Sequence, residues 1–114
     1  MKVKIRTNQL IHILDIEGDI FLADANQLKE LVMKMIEKKA ECFIINLAKI
    51  TSIDSSGIGA IIYIHSTLKK LGMKLAIVNI TEPVQQIIEK TKLASFLPIC
   101  KDVNEAIDKL SPKI

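Results

Sequence analysis

From Cys42 onward the apolar residues change spacing in a pattern that few folds can satisfy. Cys42-Phe43-Ile44-Ile45-Asn46-Leu47 is a nearly continuous apolar run of strand length, and Ile58 to Leu71 then carries apolar residues at helical spacing. Lys74-Leu75-Ala76-Ile77-Val78 reads as another strand. Thr81 and Pro83 open a short helix with Val84, Ile87 and Ile88 on one side. Leu93, Phe96 and Leu97 form an expected hydrophobic tether before a short strand around Ile99-Cys100. Asp102 with Glu105 makes a capping box for a last helix whose inner face is Val103, Ala106, Ile107 and Leu110. Strand and helix alternating in this way build right-handed βαβ crossovers and a parallel sheet.

The first forty residues add a different unit. Val3 and Ile5 alternate with Lys2, Lys4 and Arg6, the pattern of a half-exposed strand. Thr7-Asn8-Gln9 is an expected hairpin turn, and Leu10 to Ile16 a central strand with apolar residues on both faces, antiparallel to the first. Gly18-Asp19 is expected to end that strand, and Asp24 with Gln27 to cap a first helix with the stripe Leu28, Leu31, Val32, Met35 and Ile36. The expectation is an α/β fold in a single domain, residues 1–114, with a mixed sheet of about five strands and about four α-helices.

Composition matters mainly for what it excludes. A chain of 114 residues holds one core. Its net charge of +3 is spread over polar helix faces, and with one Tyr, three Phe and no Trp there is no basic stripe interleaved with stacking aromatics, so direct nucleic-acid binding is not expected. Cys42 and Cys100 lie far apart, without CxxC spacing or a neighbouring His, which suits free thiols in a reducing compartment. The charged, alternating N-terminus is not a signal peptide, and no apolar run approaches the ~20 residues that span a bilayer. The expected location is cytoplasmic, without membrane insertion.

Between the strand at Cys42 and the helix ending near Leu71-Gly72 lies Thr51-Ser52-Ile53-Asp54-Ser55-Ser56-Gly57-Ile58-Gly59. Two serines fall at a helix N-terminus, where unpaired N–H groups and the positive dipole end favour negative charge. They could cap the helix, act as nucleophiles, or accept phosphate. Asp54 can itself be the N-cap, bonding the N–H of Ser56 or Gly57, so capping does not require the serines. A nucleophile needs a base in hydrogen-bond reach. His65 is ten residues along the same helix, about 15 Å away by helical rise, and points toward the apolar arc; His12 sits in mid-strand. Ile-Asp-Ser-Ser-Gly is not a Gly-x-Ser-x-Gly elbow, and Ser56-Gly57-Ile58-Gly59 lacks the Lys-Ser/Thr of a P-loop. Ser55 falls at the exposed border of the helix with Gly59 one turn below. That glycine either uncovers the approach to the Ser55 hydroxyl or lets the helix lie close to a strand.

The segment Asn46 to Gly59 resembles the hallmark of STAS domains, the family of bacterial anti-sigma factor antagonists: an aspartate, a serine, a small residue, then Gly-Leu/Ile-Gly. The resemblance extends over nearly the whole chain, including the early Gly-Asp-Ile. It implies a STAS fold, no enzymatic activity and no cofactor. It also implies a role in transcription regulation by partner switching. The serine matching the family's phosphorylated one is Ser55; a partner anti-sigma factor that is also an ATP-dependent serine kinase would modify it and a phosphatase would reset it. Unmodified, the chain would bind that anti-sigma factor and free a sigma factor. Asp54, Ser56, Gly57 and Gly59 are the expected setting of Ser55 and, with Phe21, the expected partner-binding residues. Phe21 marks a departure: the family reads Gly-x-Leu/Ile-Asp before the first helix, whereas here the segment is Gly18-Asp19-Ile20-Phe21. An exposed Phe21 would be an interface anchor; otherwise it packs on the first helix. The alternatives are a non-phosphorylated STAS subunit of a lipid-transport or sensory complex and, in a different class, a serine-nucleophile hydrolase.

Overall fold

The computed structural model describes residues 1–92 and 96–111. Strands β1 (Lys2–Asn8) and β2 (Ile11–Ile20) form an antiparallel hairpin, with Lys2 opposite Glu17 and Asn8 opposite Ile11. The turn is Gln9-Leu10, one step later than Thr7-Asn8-Gln9. Gln9 takes the left-handed conformation the turn needs (φ 56), and Leu10 stands out in solvent instead of starting β2. Strands β3 (Cys42–Ile53) and β4 (Lys74–Val78) follow in parallel, giving the order β1-β2-β3-β4. The expected fifth strand is reduced to one parallel bridge, Ile77 to Ile99.

Helices α1 (Leu22–Glu37), α2 (Ser55–Lys70) and α3 (Glu82–Thr91) share one core with one face of the sheet, and α4 (Val103–Leu110) packs on the other. The two faces follow from strand alternation. Leu14, Ile16, Phe43, Ile45 and Leu47 meet α1–α3, while Ile11, Ile13, Ile44, Ala76 and Val78 form the smaller cluster under α4. Helix α1 buries Ala25, Leu28, Val32 and Met35, and α2 buries Ile58, Ile61, Ile64 and Leu68, each at the spacing of a single helical stripe. Leu97 is buried as a tether should be, but Phe96 is exposed, and Leu93 lies outside the described residues.

Two expected boundaries need correction. Strand β2 does not stop at Gly18-Asp19; it passes through a register shift there, with Gly18 at φ +95 and the extra residue on β3, and runs on until Ile20 pairs with Ile53. Helix α1 therefore starts at once, with Phe21 as N-cap. Asp24 is not the cap but the third helical residue, and its Oδ2 accepts the Phe21 N–H at 3.1 Å. This is half of a capping box, since Phe21 offers no acceptor in return. At α4 the expected cap is present: Asp102 Oδ1 accepts the Glu105 N–H at 2.9 Å. Gly72 (φ +73) follows the end of α2 as a left-handed C′ residue.

Candidate functional site

Parallel strands β2 and β3 end side by side at Ile20 and Ile53, and each passes directly into a helix. The N-termini of α1 and α2 therefore lie next to each other at one end of the sheet. The Asp54 N–H donates to the Ile20 carbonyl at 3.4 Å and ties the two junctions together. Asp54 is the N-cap of α2: its Oδ1 accepts the Gly57 N–H at 3.0 Å, and its carbonyl accepts the Ile58 N–H at 3.1 Å. Neither serine is needed for this cap. Ser55 is exposed and Ser56 half-buried.

The two glycines have different jobs. A Cβ on Gly57 would lie 2.5 Å from Ile53 Cγ1 and 2.6 Å from the Ile20 carbonyl oxygen, so this buried position is where the helix presses on the strand ends. A Cβ on Gly59 would meet nothing within 4 Å. Close approach to a strand thus belongs to Gly57, and Gly59 leaves open surface one turn below Ser55.

Phe21 does not pack away on α1. It is 42% exposed and the neighbouring Leu22 is 65% exposed, so an apolar pair faces solvent beside the α2 start. A helix start placed at Asp24 leaves Leu22 in a loop, and nothing in the sequence marks it. Nearby carboxylates are engaged elsewhere. Asp19 accepts the Thr51 hydroxyl at 2.6 Å across the strand pair, and Asp24 holds the Phe21 N–H and lies 3.6 Å from the Met1 ammonium. Further along the same face, Lys29 Nζ sits 5.1 Å from the Tyr63 ring centroid, a cation–π contact between α1 and α2.

Nucleophilic chemistry has little to draw on here. His65 is half-buried well down α2, and His12 stacks near Phe43 at the far end of β3, roughly 30 Å from Ser55 by strand rise. Among the described residues no cluster of His, Cys, Asp and Glu could hold a metal ion. Cys42 and Cys100 are both free, and burial pushes both thiols above their ordinary range. No helix of the described residues is long and apolar enough to cross a membrane.

A family model described as the STAS domain matches residues 2–106. Low affinity sulfate transporter 3 of Stylosanthes hamata is 29% identical over 92 residues, which covers 70% of this chain and 14% of the transporter. The chain therefore spans only a small part of that relative's length. A protein of Thermotoga maritima assigned as an anti-sigma factor antagonist superposes with a TM-score of 0.88 at 22% identity, covering 95% of this chain and 93% of that one. The Bacillus cell fate determinant SpoIIAA in its phosphorylated form superposes with a TM-score of 0.73 at 16% identity, covering 96% and 100%. At these identities the structural likeness establishes the fold.

Proposed function

The chain belongs to the STAS family, and from that premise we propose that it is a non-enzymatic anti-sigma factor antagonist of the cytoplasm whose switch is Ser55. The observation that carries this reading is an exposed Ser55 hydroxyl at the start of α2, released from capping by Asp54 and set beside the exposed pair Phe21 and Leu22. In its unmodified form the chain presents this end to an anti-sigma factor with serine kinase activity, and the bound sigma factor is released. The kinase brings its own ATP and Mg²⁺, so this chain supplies only the acceptor hydroxyl and the docking surface: Phe21, Asp54, Ser56 and Gly59, with Gly57 buried against the strand ends and so not itself a contact residue. A phosphatase restores the binding form.

Electrostatics alone can operate such a switch. Phosphate adds about −1.5 to −2 charges at pH 7. In the free protein the α2 dipole and N–H groups favour that charge by about 0.3–2 kcal/mol. Inside a docked interface the same group must shed water next to Asp54. Weakening a complex 100-fold requires only about 2.7 kcal/mol, within reach of a desolvated like-charge contact.

The test is incubation with a candidate anti-sigma kinase and ATP, read by intact mass and site mapping, together with affinity measurements on two variants. Ser55→Ala should bind the partner as the parent does, and Ser55→Asp should bind at least tenfold more weakly. Equal affinity of the two variants would sink the switch. One observation favours a second reading: Phe21 stands where the family places a carboxylate near the modified serine. With no phosphate on Ser55 from any cognate kinase, the protein would instead be a STAS scaffold subunit of a lipid-transport or sensory complex.

A further inference from the structure

Strand β1 lies at the end of the sheet, so every second residue turns its N–H and C=O outward, where no strand among the described residues pairs with them. Its two faces are chemically distinct. Lys2, Lys4 and Arg6 project on the face opposite α1–α3, and Val3 and Ile5 on the other, with Ile5 47% exposed. Helix α4 covers only the apolar end of the basic face. Beyond it lies an open groove of about 340 Å³ where Lys2, Lys4, Arg6 and Lys49 face Asp15 and Glu17. Arg6 is spent on Asp15, which leaves Lys2, Lys4 and Lys49 in excess over Glu17.

A second copy of this chain does not fit that edge. Antiparallel pairing of two β1 strands about Lys4 sets Lys4 against Lys4 and Lys2 against Arg6, and like charges directly opposite are destabilising. Nucleic acid fits poorly too, because no aromatic side chain lines the groove for bases to stack on. An extended segment with alternating acidic and apolar residues matches both faces at once. Its carboxylates would lie over Lys2, Lys4 and the groove, its apolar side chains beside Ile5, and its main chain would supply the missing ladder bonds.

We propose that β1 is a docking edge for an extended acidic segment of another protein, added to the sheet as a further strand and sharing no residue with the Ser55 surface. The probe is a blocked octapeptide alternating Glu and Val, with a Lys/Val octapeptide and a single-stranded oligonucleotide as comparisons, titrated into ¹⁵N-labelled protein. The acidic peptide should slow exchange of alternate β1 amides at least tenfold. Lys2→Glu/Lys4→Glu, at two exposed positions, should raise its Kd at least tenfold and gain binding to the Lys/Val peptide. Ser55→Asp should leave peptide binding unchanged. Absence of β1 amide protection, equal binding of both peptides, tighter oligonucleotide binding, or loss of the peptide in Ser55→Asp would each overturn the proposal.

Discussion

Two glycines only two residues apart, and so on opposite sides of helix α2, look alike in the sequence and behave as opposites in the structure. At Gly57 an added methyl collides with a backbone carbonyl, which no rotamer change can move aside. Overpacking of this kind costs about 3 kcal/mol, so Gly57→Ala should lower Tm by ~10 °C in a thermal melt followed by circular dichroism. At Gly59 the same methyl meets open space and removes the helix penalty of glycine, about 1 kcal/mol. Gly59→Ala should therefore raise Tm by ~4 °C, while its methyl obstructs the approach to Ser55 and weakens partner binding. A melting temperature that falls in Gly59→Ala would show that the helix start is packed differently. Neither assignment could be read from the sequence, because helical rotation locates Gly59 relative to Ser55 but not the strand ends relative to Gly57.

Helix α2 is the element whose start had the clearest local signals. Asp54 falls directly before the apolar stripe and is found capping, and Asp102 does the same for α4, since a cap is decided within four residues. The start of helix α1 is not decided locally. It depends on β2 continuing past two register shifts against β3 to pair Ile20 with Ile53, a partner far away in the chain. The short strand at Ile99 fails for a similar reason. Its two backbone bonds to Ile77, through the Pro98 carbonyl and the Cys100 N–H, fit between a proline and the cap of α4, and one further bond, from the Asn79 N–H to the Lys101 carbonyl at 3.2 Å, follows before the helix begins. For α2 the cap has a measurable value: Asp54→Ala should cost about 1 kcal/mol, and Asp54→Asn should recover most of it. Phosphate on Ser55 joins the favourable end of the same helix dipole, so the modified protein should melt no lower than the unmodified one at low salt. A clear drop on modification would mean that the charge disturbs the fold, and the switch would then be conformational, not electrostatic.

Across the whole sheet the open face carries a chain of side-chain hydrogen bonds that joins residues from every strand region. Arg6 on β1 donates to Asp15 on β2 through Nε and through Nη2 at 3.0 Å; Asn46 Nδ2 on β3 donates to Asp15 Oδ1 at 2.8 Å; and Asn79 Nδ2, just past β4, donates to Asn46 Oδ1 at 2.9 Å. Such a chain is invisible in the sequence, because its members come together only once the strand order and register are set. The Arg6 hydrogen bond, opposed by partial burial and helped by Asn46, holds the Asp15 carboxyl below its usual range. A lowered native value means that Asp15 stabilises the fold above its unfolded pKa, near 3.9. The contribution is lost as pH falls through the native value. The pair faces solvent, so screening limits it to about 1 kcal/mol or less. Asp15→Asn should therefore lower urea stability slightly at pH 7, with a smaller difference from the parent at about pH 3, below the unfolded pKa, that disappears once the pH is below the native value. A deficit of the same size at both pH values would place the role of Asp15 in shape and packing, and the charge of Arg6 would then have no part in holding β1 to the sheet.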